Sequence, residues 1–249
     1  MLKWSYLLIL AVALVSCKDD EVVECPEPSA KFLSLTVNPE FNGQELQLDQ
    51  TVTTSEGYLV QFIELKCYLE DIKSGSDLLI DAGLFDYRAR GVNVFRTEGD
   101  PSKFDSINCN LGVQHQLNHS DPTLFPTNSD LNIINANDMH WDWNPGYIFV
   151  KVEARVDTIP DAVENFDHNV VFHVGGSANR QDLSFNNLQW NLVSDNEYQL
   201  DLKLDMSTFL NDGSQSIDFK TEYLSHSAPG QAALSLKVME LFKSALSTY

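Results

Sequence analysis

Positively charged residues are scarce in this chain. It has 16 Lys and Arg residues against 36 Asp and Glu residues, and its formal net charge is −20 at pH 7. Proteins that bind nucleic acid neutralise the backbone phosphates with clustered Lys and Arg. The sequence therefore argues against a nucleic-acid partner, whereas an acidic surface favours solubility and attracts cations or basic proteins.

The signatures of several enzyme classes are also missing. The sequence contains no HExxH motif, no phosphate-binding loop and no recognisable Ser-His-Asp order. It has no CxxC pair, so zinc-ribbon and thioredoxin-like interpretations have no support. We therefore expect a binding protein and not an enzyme.

The N-terminal apolar run is too short to span a bilayer. It covers residues 7–15, follows Lys3 and ends just before Ser16-Cys17. A small residue before Cys at this point is typical of a lipoprotein signal that is cleaved before Cys17, whose thiol then carries lipid. The alternative is a plain secretory signal cut nearby, and both interpretations predict export.

These features divide the chain into three parts. Residues 1–16 are the predicted signal peptide, residues 17–30 an acidic tether, and residues 31–249 the folded domain. One basic and two acidic residues directly after Cys17 also resemble the surface-export signal of some Gram-negative lipoproteins. We expect an outer membrane lipoprotein, surface-exposed or periplasm-facing, that is held in the lipid bilayer through Cys17.

The folded domain is predicted to be all-β. Apolar and polar residues alternate along many segments, and Gly, Asn, Asp and Pro lie between them. This pattern predicts an antiparallel β-sandwich of two sheets. Residues 232–246 instead have helical spacing and predict one C-terminal amphipathic helix that covers an open sheet edge, with Ser227 as a candidate N-cap.

Three cysteines remain besides the lipidated one. Cys67 and Cys109 each lie in an alternating strand pattern, so they are candidates for a disulfide across neighbouring strands in an oxidising compartment. Cys25 lies in the tether and would then be left unpaired.

The rarest side chains gather around one long segment. Residues 114–137 are rich in Asn, Asp, Pro, Thr and Ser, and a loop of this length is usually functional or disordered. His119 lies at its start, His140 where it re-enters a strand, and His173 near the end of a later strand. Imidazoles that converge at the mouth of a sandwich suit copper, zinc, nickel or iron, although a lone strand His is more often structural.

The stretch "HWDW" concentrates aromatic residues in the same region. In an extended segment Trp141 and Trp143 face one way, and His140 and Asp142 the other. The two Trp side chains could be core anchors, oxidisable indoles that line a metal pocket, or a sugar-stacking platform.

Three pieces of sequence, taken in order, resemble a known family. They are "LGVQHQLNHSDP", "NDMHWDWNPGYIFVKVEA" and "VFHVGG". The chain resembles the MbnP family of exported copper-binding proteins, which are associated with methanobactin operons and are also found as lipoproteins. The family pattern is LNH before Asp-Pro, then M-[HYF]-W-x-W-x-x-GY-[IK]-F, then F-H-[IVL]-G, and the resemblance extends from Lys31 to the C-terminus.

The resemblance implies an all-β domain that binds copper through imidazoles. Carried over by position, it makes His119, His140 and His173 the candidate metal ligands, and His226 in "LSHSAPG" a weaker additional one. His115 falls outside the pattern, and we expect it to be a loop surface residue.

In related copper proteins a Trp beside the metal is oxidised to kynurenine by a di-haem peroxidase-like cytochrome. The resemblance therefore makes Trp141 and Trp143 the candidates for this modification and a cytochrome of this kind the expected partner. Asp142 and Asp121 are candidate carboxylates that orient the ligand imidazoles. Some family members carry a further His where this chain has Asp142, so one ligand of those members is missing here.

Two rival interpretations remain. A surface lipoprotein could bind glycans through exposed Trp141, Trp143 and Trp190. Alternatively, the His and Trp side chains only pack inside a structural or adhesive surface domain.

Overall fold

The alternating segments form the strands of two sheets, and the all-β prediction is confirmed. The computed structural model describes residues 29–141 and 146–249. Its strands are β1 Phe32–Phe41, β2 Gln44–Glu45, β3 Thr51–Thr53, β4 Leu59–Ser74, β5 Asp77–Asp86, β6 Asn93–Glu98, β7 Ser106–Leu111, β8 Ile148–Asp157, β9 His168–Gly175, β10 Gln181–Asn186, β11 Asn191–Ser194, β12 Glu197–Asp205, β13 Leu224–Ser225 and β14 Leu246–Thr248. Its helices are α1 Tyr87–Arg90, α2 His115–Asn118, α3 Met206–Leu210 and α4 Ala232–Ala245.

The larger sheet carries the candidate ligand His173, which lies in β9. Its strand order is β10-β7-β4-β8-β9-β13, and β3 and β5 pair with β4. The smaller sheet has the order β11-β12-β1-β2, with β14 beside β12 and β6 beside β1. Strands β1 and β12 run parallel, as do β9 and β13, so the mostly antiparallel sandwich contains two parallel pairs.

Inward-facing side chains of both sheets form the core. Leu33 and Val37 of β1 are buried, and so are Leu65 and Leu69 of β4. Each pair is four residues apart, and because successive side chains of a strand point to opposite faces, both members face the core. Within the described ranges, no helix is long and apolar enough to cross a membrane. The predicted signal peptide and residues 17–28 of the tether, with Cys17 and Cys25, lie outside those ranges.

The predicted C-terminal helix is confirmed as α4. It packs against α3 and β9, and the rings of Phe209 and Phe242 meet edge to face at 5.9 Å. The predicted N-cap is wrong, because the helix starts after Gln231 and has no side-chain cap. Ser227 instead accepts a hydrogen bond from the Gly175 N–H at 3.1 Å and lies 3.3 Å from the Ser235 hydroxyl, which ties α4 to the end of β9.

The long segment 114–137 covers the outer face of the larger sheet. It begins with the short helix α2, which the sequence did not predict, and continues mainly as turns. The Tyr68 hydroxyl donates to the Asp130 carbonyl at 3.0 Å, and the Lys66 ammonium donates to the Asn137 carbonyl at 3.2 Å. These outward-facing residues of β4 are therefore buried, and they fix the segment that leads to His140.

The two strand cysteines do not form the predicted disulfide. Strands β4 and β7 are neighbours, but Leu69 lies opposite Leu111, so Cys67 and Cys109 are offset along the ladder. Both thiols are free and buried. Burial raises the pKa of the Cys67 thiol, and it raises the pKa of the Cys109 thiol to about 12.

Candidate metal centre

His173 is held in place by a carboxylate of the neighbouring strand. Its Nε2 lies 2.7 Å from Oε1 of Glu153 in β8, and the Lys151 ammonium lies 3.4 Å from the same oxygen. The hydrogen bond with His173 is the largest cause that lowers the pKa of Glu153 to about 2. Because an ionised carboxylate only accepts hydrogen bonds, Nε2 donates and Nδ1 keeps the lone pair with which the ring can bind a metal.

A second imidazole lies beside this one. The ring centres of His226 and His173 are 5.0 Å apart, and the ring planes differ by 33°. The parallel pairing of β13 with β9, which sets Ser225 opposite Phe172, delivers His226 to this position. Burial, and then the nearby His173, lower the pKa of His226, which favours the neutral form that binds metals.

The spacing of these two rings suits a shared ion. Imidazoles that bind one ion, each at a metal–nitrogen distance of roughly 2 Å, have ring centres about 4.5 to 6 Å apart. The 5.0 Å between His173 and His226 falls in this range. Imidazole is a good ligand for copper, so the donor chemistry of this pair fits a copper ion.

Trp141 lies close to the same strand end. It is only 7% exposed, and a Cβ atom added to Gly175 would stand 2.7 Å from its Cη2 atom. Positions 173 and 175 project from the same face of β9, so the indole lies on the face that carries His173. Trp143 and Asp142 fall outside the described residues.

His140 lies in an isolated β-bridge. It pairs with Tyr147, and the two rings meet edge to face at 5.0 Å. Tyr147 is fully buried, and its N–H donates to the Asn118 side-chain oxygen at 2.7 Å. Asn118, the Asn of "LNH", therefore joins the start of the long segment to this bridge.

His119 follows Asn118 directly and is exposed. Its ring meets that of His115 edge to face at 4.5 Å. His115 is exposed, as expected, and its Nδ1 lies 2.9 Å from the Ser177 hydroxyl.

The three predicted ligands thus have three different ring neighbours. His119 lies against His115, His140 against Tyr147, and His173 against His226. Within residues 29–141 and 146–249, no group of three or more His, Cys, Asp or Glu side chains is arranged to hold a metal. The ligand set of His119, His140 and His173 stays a prediction, as does His226 as an additional ligand, and the structure places the His226 ring beside that of His173.

The carboxylate beside His173 is not one that was predicted. The Asp121 side chain accepts hydrogen bonds from the Thr123 N–H at 2.9 Å and the Thr123 hydroxyl at 2.7 Å, so it caps the next turn. Glu153 takes the orienting role. The alternation of "FVKVEA" already placed Glu153 on one face of its strand, but the pairing of β8 with β9 was needed to bring it to His173.

Two of the three tryptophans proposed for glycan stacking are not exposed. Trp141 is buried, and Trp190 packs against the core while its indole N–H donates to the Phe104 carbonyl at 2.7 Å. These two side chains therefore do not offer open stacking faces.

Comparisons with known proteins agree with this architecture. The MbnP family model matches residues 30–228. Among solved structures, the chain is similar to MbnP from Methylosinus trichosporium, with a TM-score of 0.51 and 15% sequence identity, over 83% of this chain and 88% of that chain. At this identity the likeness shows the fold alone. No curated protein matches the sequence.

Proposed function

The chain belongs to the MbnP family, and we propose that it is an extracytoplasmic protein that binds copper at a site containing His173 and His226. Family membership suggests a copper-related function associated with methanobactin. The proposal goes further in naming the ligands, and it describes a binding protein and not an enzyme.

The observation that carries the proposal is the pair of imidazoles beside an orienting carboxylate. His173 and His226 lie 5.0 Å apart, and Glu153 holds the Nε2 side of His173. A ligand imidazole commonly donates its other N–H to a carboxylate, which fixes the ring and raises its basicity. The pair contains no thiolate, so it suits copper binding better than electron transfer of the blue-copper type.

The remaining predicted groups complete the proposal. His119 and His140 are proposed as further ligands, and Trp141 or Trp143 as the residue that a di-haem cytochrome partner converts to kynurenine. The buried position of Trp141 beside Gly175 supports Trp141 as the modified residue. The chain is proposed to be an outer membrane lipoprotein anchored through Cys17.

A copper competition titration on the full chain, prepared without a metal-affinity tag, tests the ligands. We expect one tight equivalent in the wild type and at least a tenfold loss of affinity in His173→Ala and His226→Ala. His168→Ala is the matched control, because His168 lies against Tyr223 and Asp167. Unchanged affinity in both ligand variants would overturn the assignment.

Mass spectrometry tests the modification separately. Chain produced together with the di-haem cytochrome should contain kynurenine at position 141 or 143, and chain produced alone should contain only Trp. Unmodified Trp at both positions after co-production would remove kynurenine from the proposal while leaving the imidazole site in place.

A further inference from the structure

The smaller sheet has a gap along one of its edges, on a part of the molecule that the imidazole pair does not involve. Strand β11 pairs with residues 197–199 of β12, and β14 pairs with residues 202–204 of the same strand. The two partner strands therefore leave a gap beside Leu200 and Asp201. A cavity of about 430 Å³, here called the edge cavity, lies at this gap, and its volume is within the roughly 300–1,000 Å³ typical of small-molecule sites.

Side-chain amides and one carboxylate dominate the lining of the edge cavity. Each amide offers N–H donors and a carbonyl acceptor, so a ligand hydroxyl can both donate to it and accept from it. Among the residues that the structure describes, no Lys or Arg lines the cavity, which disfavours an anionic ligand. The polar lining residues are Asn38, Asn187, Gln189, Asn191, Asp201 and Thr248.

The Asp201 carboxylate is held in place by its neighbours on the sheet. Its Oδ1 accepts hydrogen bonds from the Thr36 hydroxyl and from the Gln199 amide, each at 2.6 Å. Thr36 stands directly opposite Asp201 in the ladder and accepts a hydrogen bond from the Asn38 amide at 3.2 Å. Because both bonds to Asp201 end on Oδ1, Oδ2 stays available to a hydroxyl donor in the cavity.

One wall of the edge cavity is the turn formed by residues 187–191, and this turn is fixed to the body of the fold. The Leu188 N–H donates to the Asp105 carbonyl at 2.9 Å, and the Trp190 indole N–H donates to the Phe104 carbonyl at 2.7 Å. The amides on the turn are therefore positioned before a ligand arrives, and less binding free energy is spent on ordering them.

Tyr249 supplies an aromatic surface on the β14 side of the cavity. The pairing of Thr248 with Leu202 brings it there, and its hydroxyl donates to Glu40 at 3.0 Å. The residue is 72% exposed, so its ring is open to a ligand. A Tyr ring combines an apolar body with a polar tip, and it suits a ligand that carries both C–H groups and hydroxyls.

We propose that the edge cavity binds a small neutral saccharide. The amides and the Asp201 carboxylate bind the sugar hydroxyls, and the Tyr249 ring packs against the C–H groups of the sugar ring. The lack of a lining cation among the described residues selects against sulfated and sialylated sugars. This site is separate from the His173–His226 pair and does not require copper there.

Binding of the labelled full chain to an array of neutral, sulfated and sialylated glycans, followed by calorimetric titration with the neutral saccharide bound best, tests the proposal. We expect the wild type to bind neutral glycans and not the acidic ones. In Asp201→Asn the amide oxygen still accepts from Thr36 and Gln199. An NH₂ group replaces the Oδ2 acceptor, so affinity should fall about tenfold or more.

Two further variants complete the experiment. Tyr249→Ala should also weaken saccharide binding about tenfold, because it removes the packing surface. Asp182→Asn is the matched control for Asp201→Asn, because Asp182 is an exposed carboxylate on β10 of the larger sheet, and it should bind like the wild type.

Three results would overturn the proposal. They are a wild type that binds no neutral glycan, full affinity in either Asp201→Asn or Tyr249→Ala, and an equal loss of affinity in Asp182→Asn. A copper titration of Asp201→Asn should match that of the wild type, so either site can fail without the other. A parallel loss of copper affinity in this variant would contradict the separation of the two sites.

Discussion

His173 and Glu153 are paired diagonally across two neighbouring strands, with 2.7 Å between the imidazole Nε2 and the carboxylate. In the ladder, Lys151 stands opposite His173, and Glu153 stands opposite Val171. The carboxylate therefore reaches across to the imidazole, and it also binds the Lys151 ammonium. This contact determines which ring nitrogen of His173 can face a metal.

Replacing Glu153 tests its effect on the metal site. In Glu153→Gln the neutral amide orients His173 less firmly, and we expect copper affinity to fall by about 10- to 100-fold. A competition titration measures this, with Glu197→Gln as the control because Glu197 pairs with Arg96 in the other sheet. Wild-type affinity in Glu153→Gln would show that the carboxylate does not support the site.

The buried Lys66 is expected to stabilise the covering segment. Its ammonium lies 3.1 Å from Glu64 and 3.2 Å from the fully buried Asp86. Lys66→Met leaves that carboxylate without its cation, so the free energy of unfolding should fall by about 3–5 kcal/mol. Lys73→Met, at the partly exposed pair with Asp71, should cost less than about 1 kcal/mol.

Urea unfolding of the two Lys variants makes the comparison. Equal losses of unfolding free energy would mean that the ion pairs of Lys66 with Glu64 and Asp86 contribute no more than a surface ion pair.

Asp167 should make stability depend on acid pH. Burial acts to raise its pKa, but the His168 imidazole, whose Nδ1 lies 3.0 Å from the carboxylate, and hydrogen bonds from Thr158 lower the pKa to about 2. An unfolded Asp titrates near 3.9, so the folded state favours the ionised form. Its stabilisation is present above about pH 4 and is lost as the pH falls towards 2.

Thermal unfolding of the wild type and Asp167→Asn across pH checks this. The difference in melting temperature should be at its full size near pH 5 and should shrink between about pH 4 and 2. A difference that is unchanged at pH 2 would contradict the assignment.

The thiols of Cys67 and Cys109 should resist alkylation in the native state. Both are buried with raised pKa values, so little reactive thiolate is present at pH 8. Peptide mapping should find both labelled only after unfolding, whereas an exposed cysteine introduced by Lys243→Cys should react at once. A mass that shows the two joined without reductant would contradict the free thiols.

Local patterns in the sequence predicted much of the fold. Period-two alternation located several of the strands, including β8 and β12, and helical spacing located α4. The parallel pairing of β1 with β12 joins segments that are far apart in sequence, and no local period contains that information. Ser227 illustrates the same limit. Its position in the sequence suited a helix N-cap, but in the fold its hydroxyl accepts a hydrogen bond from the Gly175 N–H.

Less of the candidate site than of the fold could be predicted from the sequence. Motifs identified His173 and the neighbourhood of Trp141, but the match of His226 to His173 depends on the two-residue strand β13. The pairing of His115 with His119 did have a local signal, namely their four-residue spacing. Interpreting that signal required the short helix α2, which an Asn-rich segment did not indicate.

Anomalous X-ray diffraction at the copper edge, on crystals of the chain loaded with one equivalent of copper, tests the central claim most directly. We expect a peak within bonding distance of an imidazole nitrogen of both His173 and His226. A copper ion that is bound by other side chains and contacts neither ring would contradict the proposed copper site.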